Sequence, residues 1–293
     1  MAIEFKVNGN AVKYRQIRIK ESFNQISSVV EFDVFADYGE TIFELEGGQF
    51  FPVQYKTSND DFVTVVCYPK SYVDWCKKLY QPYCDDKTFE EMMQFYGIQL
   101  DMLHKSSTSH WVLPETRFNQ LLQLTKNQIK IPNGGGVVLT VGYNGKLRVC
   151  DLKKAFESNE IVSFMGRYAT IVRDRKFTTD VPMSILFQNE SIEKDKKEKT
   201  LEILPNITKG VMTSIYFNDK SYDSREVEIN NIQCRSYYTS KYFFIEDATF
   251  ANEIYLGQKI QNQKTKENMV VFGYTITATY SDQKISVTAV SKP

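Results

Sequence analysis

Residues 115–151, ETRFNQLLQLTKNQIKIPNGGGVVLTVGYNGKLRVCD, contain three consecutive glycines, Gly134–Gly136. A phosphate-binding glycine loop lies between a strand and a following helix, whose free N–H groups and positive dipole end hold the anion. Here the order is reversed, because a stripe at helical spacing precedes the glycines: Phe118, Leu121, Leu122, Thr125 and Ile129. Carbonyl groups point outward at the C-terminal end of a helix and disfavour anions. The stretch therefore predicts a structural turn rather than a nucleotide site.

The residues after the glycines predict a β-hairpin. Apolar residues alternate in 137–141, which is the period of a strand. Asn144-Gly145 then predicts a tight turn in which both central residues have positive φ. Leu147 and Val149 continue the return strand, so the stretch as a whole indicates a helix followed by a hairpin.

The composition is that of a folded protein with balanced charge. Of 293 residues, 36 are Lys or Arg and 36 are Asp or Glu. Proteins that grip nucleic acid without sequence preference are usually basic, so this function class is disfavoured. No apolar run approaches the length of a membrane span. Aromatic residues make up 14% of the chain and favour β-sheet.

The cysteine pattern predicts free thiols. Five cysteines are present, widely spaced and without a CxxC pair: Cys67, Cys76, Cys84, Cys150 and Cys234. The first residues, Met1–Lys6, include an early acid and no apolar segment, so we expect no secretion signal. These features together indicate a protein made in a reducing cytoplasm.

The two ends of the chain predict β-barrel-like domains. In residues 1–80, short segments with period-two alternation, such as 30–34, are separated by turn residues, which is typical of a sandwich or barrel. Residues 206–293 return to this pattern, and Ser281-Asp282 forms the turn of the clearest hairpin. The other candidate strands of this region are Val211–Phe217, Val227–Ile232, Tyr242–Ile245 and Ile254–Ile260.

Residues 81–150 predict a small α+β module between the two β regions. Asp85-Asp86 should open a short helix, and Thr88 and Glu91 have the spacing of a capping box. The helix would bury one apolar stripe and end at a glycine: Phe89, Met92, Met93, Tyr96 and Gly97.

Residues 151–205 connect this module to the second β region. We expect one helical turn over Asp151–Phe156 and strands over Ile161–Val172 and Met183–Phe187. One open alternative is that the segment pairs back to the first barrel. The charge run ESIEKDKKEKTLE, residues 190–202, predicts a solvated loop or an exposed helix.

The two histidines indicate no catalytic or metal site. His104 and His110 lie six residues apart in a serine-rich loop, and metal ligation would need further ligands with better-ordered spacing. No G-x-S-x-G elbow is present, and no cysteine has the context of a nucleophile.

Two other groups of residues have ordinary structural explanations. Asp85-Asp86 and Glu90-Glu91 would suit glycoside cleavage by paired carboxylates, but acidic residues also stabilise the first turn of a helix. Trp75 and Trp111 could stack on sugars or bases, although buried or interface tryptophans are commoner. The sequence therefore predicts no catalytic residue, no cofactor and no metal ligand.

The order of elements resembles a known family. The resemblance lies in four segments, which are YPKSYVDWCKKLYQ (68–81), KTFEEMMQFYGIQL (87–100), HWVLPETRFNQLLQLTKNQIKI (110–131) and GVVLTVGYNGKLRVCD (136–151). They resemble the helical module that follows the first barrel in bacteriophage tail hub proteins and in the VgrG spike base of type VI secretion. The residues that occupy the positions of the family pattern are Phe118, Leu121, Leu122, Asn144, Gly145, Leu147 and, in the second barrel, Gly257.

The resemblance implies a fold that is mainly β, with two β-barrel-like domains flanking a helix-containing insertion. It implies a structural, non-enzymatic role as a hub ring that joins the tail tube to the spike or baseplate at the tail tip. A homotrimer is expected, with the tail tube protein, the spike, other baseplate or tail-tip proteins and the tape measure protein as partners. The protein would lie in the virion tail after synthesis in the host cytoplasm, with no membrane contact and with DNA only in transit.

The resemblance leaves residues 151–205 unexplained, because they fit the family pattern poorly. We expect no needle or lysozyme-like region in this chain, so a hub of this kind would have its spike and any wall-degrading enzyme on other chains. Two alternatives stay open: another tail or baseplate adaptor, or a carbohydrate-binding or carbohydrate-active protein that uses the aromatic residues and acidic pairs.

Overall fold

The architecture in the computed structural model is mainly β, with a small α+β module, as the sequence predicted. In the part of the chain that the structure describes, the strands form one twelve-stranded sheet and three sheets of two or three strands. Their apolar side chains pack into three cores. The structure describes residues 5–35, 38–39, 41–57, 62–172 and 222–292.

The N-terminal part of the large sheet contains β1 (Phe5–Val7), β2 (Asn10–Ala11), β3 (Tyr14–Ser22), β4 (Val29–Val34), β5 (Phe43–Leu45), β6 (Gly48–Thr57) and β7 (Val63–Pro69). These strands are antiparallel in the order β3-β4-β7-β6-β5-β1-β2. The period-two pattern selects the buried face, since β3 buries Ile17 and Ile19 and turns Arg18 to the other side. Stacked rings such as Phe5 and Phe32, with centroids 4.6 Å apart, fill the first core.

The helical module follows and has its own core. Its elements are α1 (Lys70–Lys77), β8 (Leu79–Tyr80), β9 (Tyr83–Lys87), α2 (Phe89–Phe95), β10 (Leu100–Met102), β11 (Ser109–Leu113), β12 (Thr116–Arg117), α3 (Phe118–Lys126), β13 (Val137–Val141), β14 (Leu147–Asp151) and α4 (Leu152–Glu157). The predicted stripe of α3 is buried at Phe118, Leu121 and Leu122. The capping box of Thr88 and Glu91 at the start of α2 is confirmed.

The C-terminal part of the large sheet closes into a barrel. It contains β15 (Ile161–Val172), helix α5 (Tyr222–Tyr238), β16 (Lys241–Phe250), β17 (Lys259–Asn262), β18 (Asn268–Ala278) and β19 (Gln283–Ser291). The strand order is β17-β15-β16-β19-β18, and β17 also pairs with β18, so the five strands form a closed ring. The predicted strand over Ile161–Val172 and the last hairpin are confirmed.

The two parts of the large sheet are joined by one strand pair. β18 of the barrel pairs antiparallel with β3, from Gly273 opposite Ser22 to Ala278 opposite Ile17. Ile276, opposite Ile19 in this pair, contacts both the first core and the barrel core. Within the described residues, the sheet is therefore continuous from the N-terminal strands to the C-terminal barrel.

Two predicted secondary-structure assignments are wrong. Asp85 and Asp86 do not open a helix: they lie in β9, paired with β11, and the helix starts at Phe89 behind its Thr88 cap. The predicted strand Val227–Ile232 lies inside α5. The face that α5 buries carries Asn231 and other polar residues, so no apolar stripe marks it as a helix.

Three further differences are local. Residues 70–77, assigned to the β region, form α1, a helix with Trp75 as its one buried residue. In the 254–260 region only the end is extended, because β17 begins at Lys259. The β13–β14 turn has positive φ at Gly145 alone, and Gly145 N donates to Gly142 O at 2.9 Å, which fits a longer loop better than the predicted two-residue turn.

The connection between module and barrel is described in part. Its first residues form α4, as predicted, and β15 then pairs with β16 and β17 of the C-terminal barrel. In the described residues it does not pair back to the first sheet. The predicted strands Met183–Phe187 and Val211–Phe217 and the charge run 190–202 lie outside the described residues.

Candidate functional site

The histidines are not brought into a site by the fold. His110 lies on β11 opposite Asp86 on β9, with Nδ1 and Oδ1 2.7 Å apart on an exposed face. His104 is partly buried, and burial, aided by the charge of Lys154, lowers the pKa of its imidazole. Among the described residues, no group of three or more His, Cys, Asp or Glu side chains could hold a metal ion.

The acidic pair Glu90-Glu91 stabilises the start of α2 through hydrogen bonds. The Glu90 carboxylate accepts hydrogen bonds from Ser106 N at 2.8 Å and from the Ser106 hydroxyl, and so ties the following loop to the helix. The Glu91 carboxylate accepts from Thr88 N at 2.9 Å, and the hydrogen bonds from Thr88 lower the pKa of Glu91. Both carboxylates therefore have structural partners.

Neither tryptophan is a platform for a ligand. Trp111 is fully buried, and its Nε1 donates to Lys87 O at 2.8 Å. Trp75 is 5% exposed, with its ring centroid 5.2 Å from that of Phe118. These two side chains are parts of the module core, so they cannot stack on a sugar or a base in this conformation.

The cysteines are all free thiols. Burial raises the pKa of the Cys67 and Cys150 thiols, which makes them poor nucleophiles. Cys84 is exposed on the outer face of β9, opposite Val112.

The three glycines form a seat for helix α5. A Cβ atom added at Gly135 would lie 2.5 Å from Cys234 Sγ, so only glycine allows the helix to approach this closely. Asn230 Nδ2 donates to Gly134 O at 3.0 Å from the same helix. The order of elements around the glycines correctly predicted a structural role for them, but nothing in that stretch indicated the helix that contacts them.

Buried polar side chains of α5 complete this contact. Asn231 Oδ1 accepts from Gly136 N at 3.1 Å and from Val137 N at 3.3 Å, and Arg235 Nε donates to Val137 O at 3.1 Å. Asn231 Nδ2 donates to the carbonyls of Asn127 and Ile129, at 2.8 and 2.9 Å. Asn231 and Arg235 thus form hydrogen bonds with the backbone N–H and C=O groups at the start of β13, as the backbone of a neighbouring strand would.

Asp151 supports the seat from the other side. It is 1% exposed, its Oδ2 accepts from Gly135 N at 2.6 Å, and its Oδ1 caps α4 by accepting from Lys154 N at 2.9 Å. Burial raises the pKa of Asp151 to about 6, although these two hydrogen bonds and the neighbouring lysines oppose the rise.

A second buried polar cluster lies where the three parts of the molecule meet. Glu21 of β3 is 1% exposed and accepts hydrogen bonds from Tyr143 N at 2.9 Å and from the hydroxyl of Tyr274 on β18. Arg148 of β14 lies 3.9 Å from Glu21 Oε2 and forms two hydrogen bonds with Asp101, at 2.7 and 3.0 Å. We call these residues the junction cluster.

The charges of the junction cluster are mutually dependent. Burial alone lowers the pKa of Arg148, but Glu21 and Asp101 raise it above its usual value, so the guanidinium stays charged. Burial, together with Glu21, raises the pKa of the Tyr274 hydroxyl and keeps it a donor. The cluster therefore connects the first sheet, the barrel and the module through charge-assisted hydrogen bonds.

Among the described helices, none is both long enough and apolar enough to cross a membrane. No protein-family model matches the chain, and no curated protein matches its sequence.

Comparison with solved structures finds the same fold over 99% of this chain in phage-related proteins. A 43 kDa tail protein of prophage MuSo2 from Shewanella oneidensis is 10% identical, with 96% of its own length covered and a TM-score of 0.58. The tail protein from Neisseria meningitidis MC58 is 8% identical, with 96% covered and a TM-score of 0.55. The E. coli c3393 protein, a type VI secretion component described as structurally similar to T4 tail proteins gp27 and gp5, is 10% identical, with 77% covered and a TM-score of 0.51. The predicted resemblance to the tail hub fold is thus confirmed.

Proposed function

We propose that this chain is a structural protein of a bacteriophage tail, a hub ring that joins the tail tube to the spike or baseplate at the tail tip. The observation that carries the proposal is the continuous sheet, in which the N-terminal strands and the C-terminal barrel are joined by the β3–β18 pair. A ring that must keep its shape needs its parts fixed to one another, and a shared sheet does this through backbone hydrogen bonds. The fold shared with phage tail proteins over nearly the whole chain supports the same role.

The junction cluster supports this role from the side-chain level. Each of the three parts contributes a residue to it: Glu21 from the first sheet, Tyr274 from the barrel and Arg148 from the module. Because removing one partner would leave another buried and unsatisfied, the three parts are held in one geometry. Such rigidity suits a connector.

We further propose a homotrimer in the particle. Each chain has two β regions, so three chains present six β regions around an axis, which would match a six-fold tube. Closed rings also cover sheet edges that a monomer leaves exposed. The tail tube protein, the spike, other baseplate or tail-tip proteins and the tape measure protein are the proposed partners, and DNA would only pass through the channel.

The proposed role is assembly without catalysis, in the virion tail after synthesis in the bacterial cytoplasm. Another tail or baseplate adaptor is the nearest alternative. The carbohydrate hypothesis is less favoured, because its aromatic candidates Trp75 and Trp111 are in a core and its candidates Glu90 and Glu91 hold the start of a helix.

Imaging of intact tails tests the proposal. We expect density for three copies around the tail axis, each placing both β regions in one ring between tube and spike. A single copy, or six copies with one β region each in the ring, would contradict the trimeric hub. A position elsewhere in the tail would favour the adaptor.

A binding measurement distinguishes the tail hub from the carbohydrate-binding alternative. The purified chain is mixed with tail tube subunits and passed over a size-exclusion column. In a separate experiment its melting temperature is recorded with and without cell-wall and surface glycans. A hub is expected to co-migrate with tube subunits and to show no glycan-dependent shift. A saturable glycan shift without tube binding would favour the carbohydrate-binding alternative.

A further inference from the structure

Helix α5 is attached to the glycines and to β13 by polar groups, and its apolar contacts are Ile232 and the stack of Tyr238 on Phe156 of α4. In the segment 227–240 the buried residues are Asn231, Ile232, Arg235, Thr239 and Ser240, of which only Ile232 is apolar. Helices of globular proteins are usually held by an apolar face. Here Asn231 and Arg235 supply hydrogen bonds to backbone groups of the module, including Val137 N and O at the end of β13.

Hydrogen bonds of this kind are exchangeable with water. Each of the peptide groups that α5 binds can be solvated once the helix has moved away, and so can the side chains of Asn231 and Arg235. Opening of α5 exposes Ile232 and separates Tyr238 from Phe156, whose ring centroids are 4.9 Å apart, whereas opening of any of the three cores exposes many buried apolar side chains.

We propose that α5 is a polar strap, which lifts from the glycine seat as a unit while the three cores stay folded. In the open state, the peptide groups of Gly136 and Val137 at the free end of β13 are uncovered. The strap belongs to this chain alone and would operate whether or not the chain is a tail hub.

The small size of the glycines in the seat, Gly134–Gly136, determines how closely α5 can approach the module. The Cβ position at Gly135 lies 2.5 Å from Cys234 Sγ and 3.0 Å from Cys234 Cβ. A methyl group there acts as a wedge that pushes α5 outward, while the Gly135 N–H stays available to Asp151. The seat can therefore be changed without altering any core residue.

Asp151 couples the strap to pH. Its buried carboxylate, with a pKa raised to about 6, is ionised at neutral pH while the helix lies over the seat. If lifting α5 admits water and returns the pKa toward 3.8, ionisation favours the open state, so the strap opens more as pH rises from 4 to 7. The charged and titratable groups around Asp151 on α4, β14 and α5 are Lys153, Lys154, Glu157, Cys150, Cys234, Arg235 and Tyr238.

Hydrogen exchange on the full chain tests the strap. At pH 7.5, amides of 227–238 are expected to exchange at least about tenfold faster than those of α3 and β18, after correction for intrinsic rates. Gly135→Ala should accelerate α5 by a further factor of about ten and leave β3 and β4 unchanged. The double variant Gly135→Ala/Cys234→Ala, which removes the nearest sulfur, should recover part of the protection.

Two results would overturn the proposal. One is α5 protection equal to that of the cores in the wild type, because α5 would then open only with global unfolding. This wild-type measurement stands even if Gly135→Ala does not fold. The other is an equal acceleration of α5 and both β regions in Gly135→Ala.

The pH coupling has its own readout. Between pH 5 and 7.5 the corrected opening of α5 should increase in the wild type by up to about tenfold, as follows from a pKa near 6 that falls on opening. Asp151→Asn, which cannot ionise, should abolish this slope, whatever its effect on the level of protection. An unchanged slope in Asp151→Asn would refute the coupling.

Discussion

Removing one hydroxyl from the junction cluster tests whether the cluster holds the three parts of the molecule together. Tyr274→Phe deletes the donor to Glu21 and leaves the ring in the barrel core. Glu21 then keeps the N–H of Tyr143 at 2.9 Å and the more distant guanidinium of Arg148 at 3.9 Å. One oxygen of a carboxylate that is 1% exposed thus loses its short hydrogen bond.

The expected cost follows from the charge of the acceptor. A hydrogen bond to a charged group contributes about 1.5–3 kcal/mol, so we expect Tyr274→Phe to lower the free energy of unfolding by about 2 kcal/mol. For a chain of this size, that corresponds to a fall in melting temperature of about 4 °C. Denaturant titration and thermal scans of purified protein measure both quantities.

The same hairpin offers a matched control. Tyr280 is 58% exposed and stacks on Tyr14 through its ring, which Tyr280→Phe preserves. We expect this control to change stability by less than about 0.5 kcal/mol. Equal effects of Tyr274→Phe and Tyr280→Phe would refute the reasoning, since the buried hydroxyl would then contribute no more than an exposed one.

Three further predictions concern other parts of the chain. The free energy of unfolding of the wild type, compared with that of Asp151→Asn, should fall by up to about 3 kcal/mol between pH 4 and pH 7. The reason is that a carboxyl whose pKa in the folded protein is raised to about 6 stabilises the fold only while it is protonated. Parallel pH–stability curves for the two proteins would contradict this. Leu121→Asp should unfold the module, as seen by loss of helical circular dichroism, because it buries an unpaired charge, whereas Leu124→Asp, at a position 41% exposed, should be tolerated. Denatured protein purified without oxidant should titrate as five thiols and migrate alike on reducing and non-reducing gels; disulfides would contradict the proposed cytoplasmic origin.

The elements that sequence reasoning predicted correctly are those with a local apolar period. The stripe through Phe118, Leu121 and Leu122 and the alternation of the last hairpin both follow from side chains that face one core. The Thr88–Glu91 capping box is equally local, because its two residues bond each other. In each case, the information lies within about ten residues.

The elements that were missed depend on distant partners. α5 buries Asn231 and Arg235, whose partners are backbone atoms about one hundred positions earlier in the chain. The acidic residues Asp85 and Asp86 fit a helix start by composition, but pairing with β11 makes them exposed residues of a strand. Glu21 gave no signal, since its donors come from the module and from β18.

For the glycine triplet, the order of neighbouring elements predicts the correct class of role but not the contact with α5. The order of helix, glycines and strand excludes a phosphate cradle, because no helix begins immediately after Gly136 to offer its N–H groups. Those peptide groups are nonetheless used: Gly135 N binds Asp151 and Gly136 N binds Asn231. The small size of Gly135 serves a close approach of α5 rather than a turn alone. A glycine required by a distant helix and a glycine required by a turn look identical in sequence, so only substitutions such as Gly135→Ala, read at α5, can separate the two reasons.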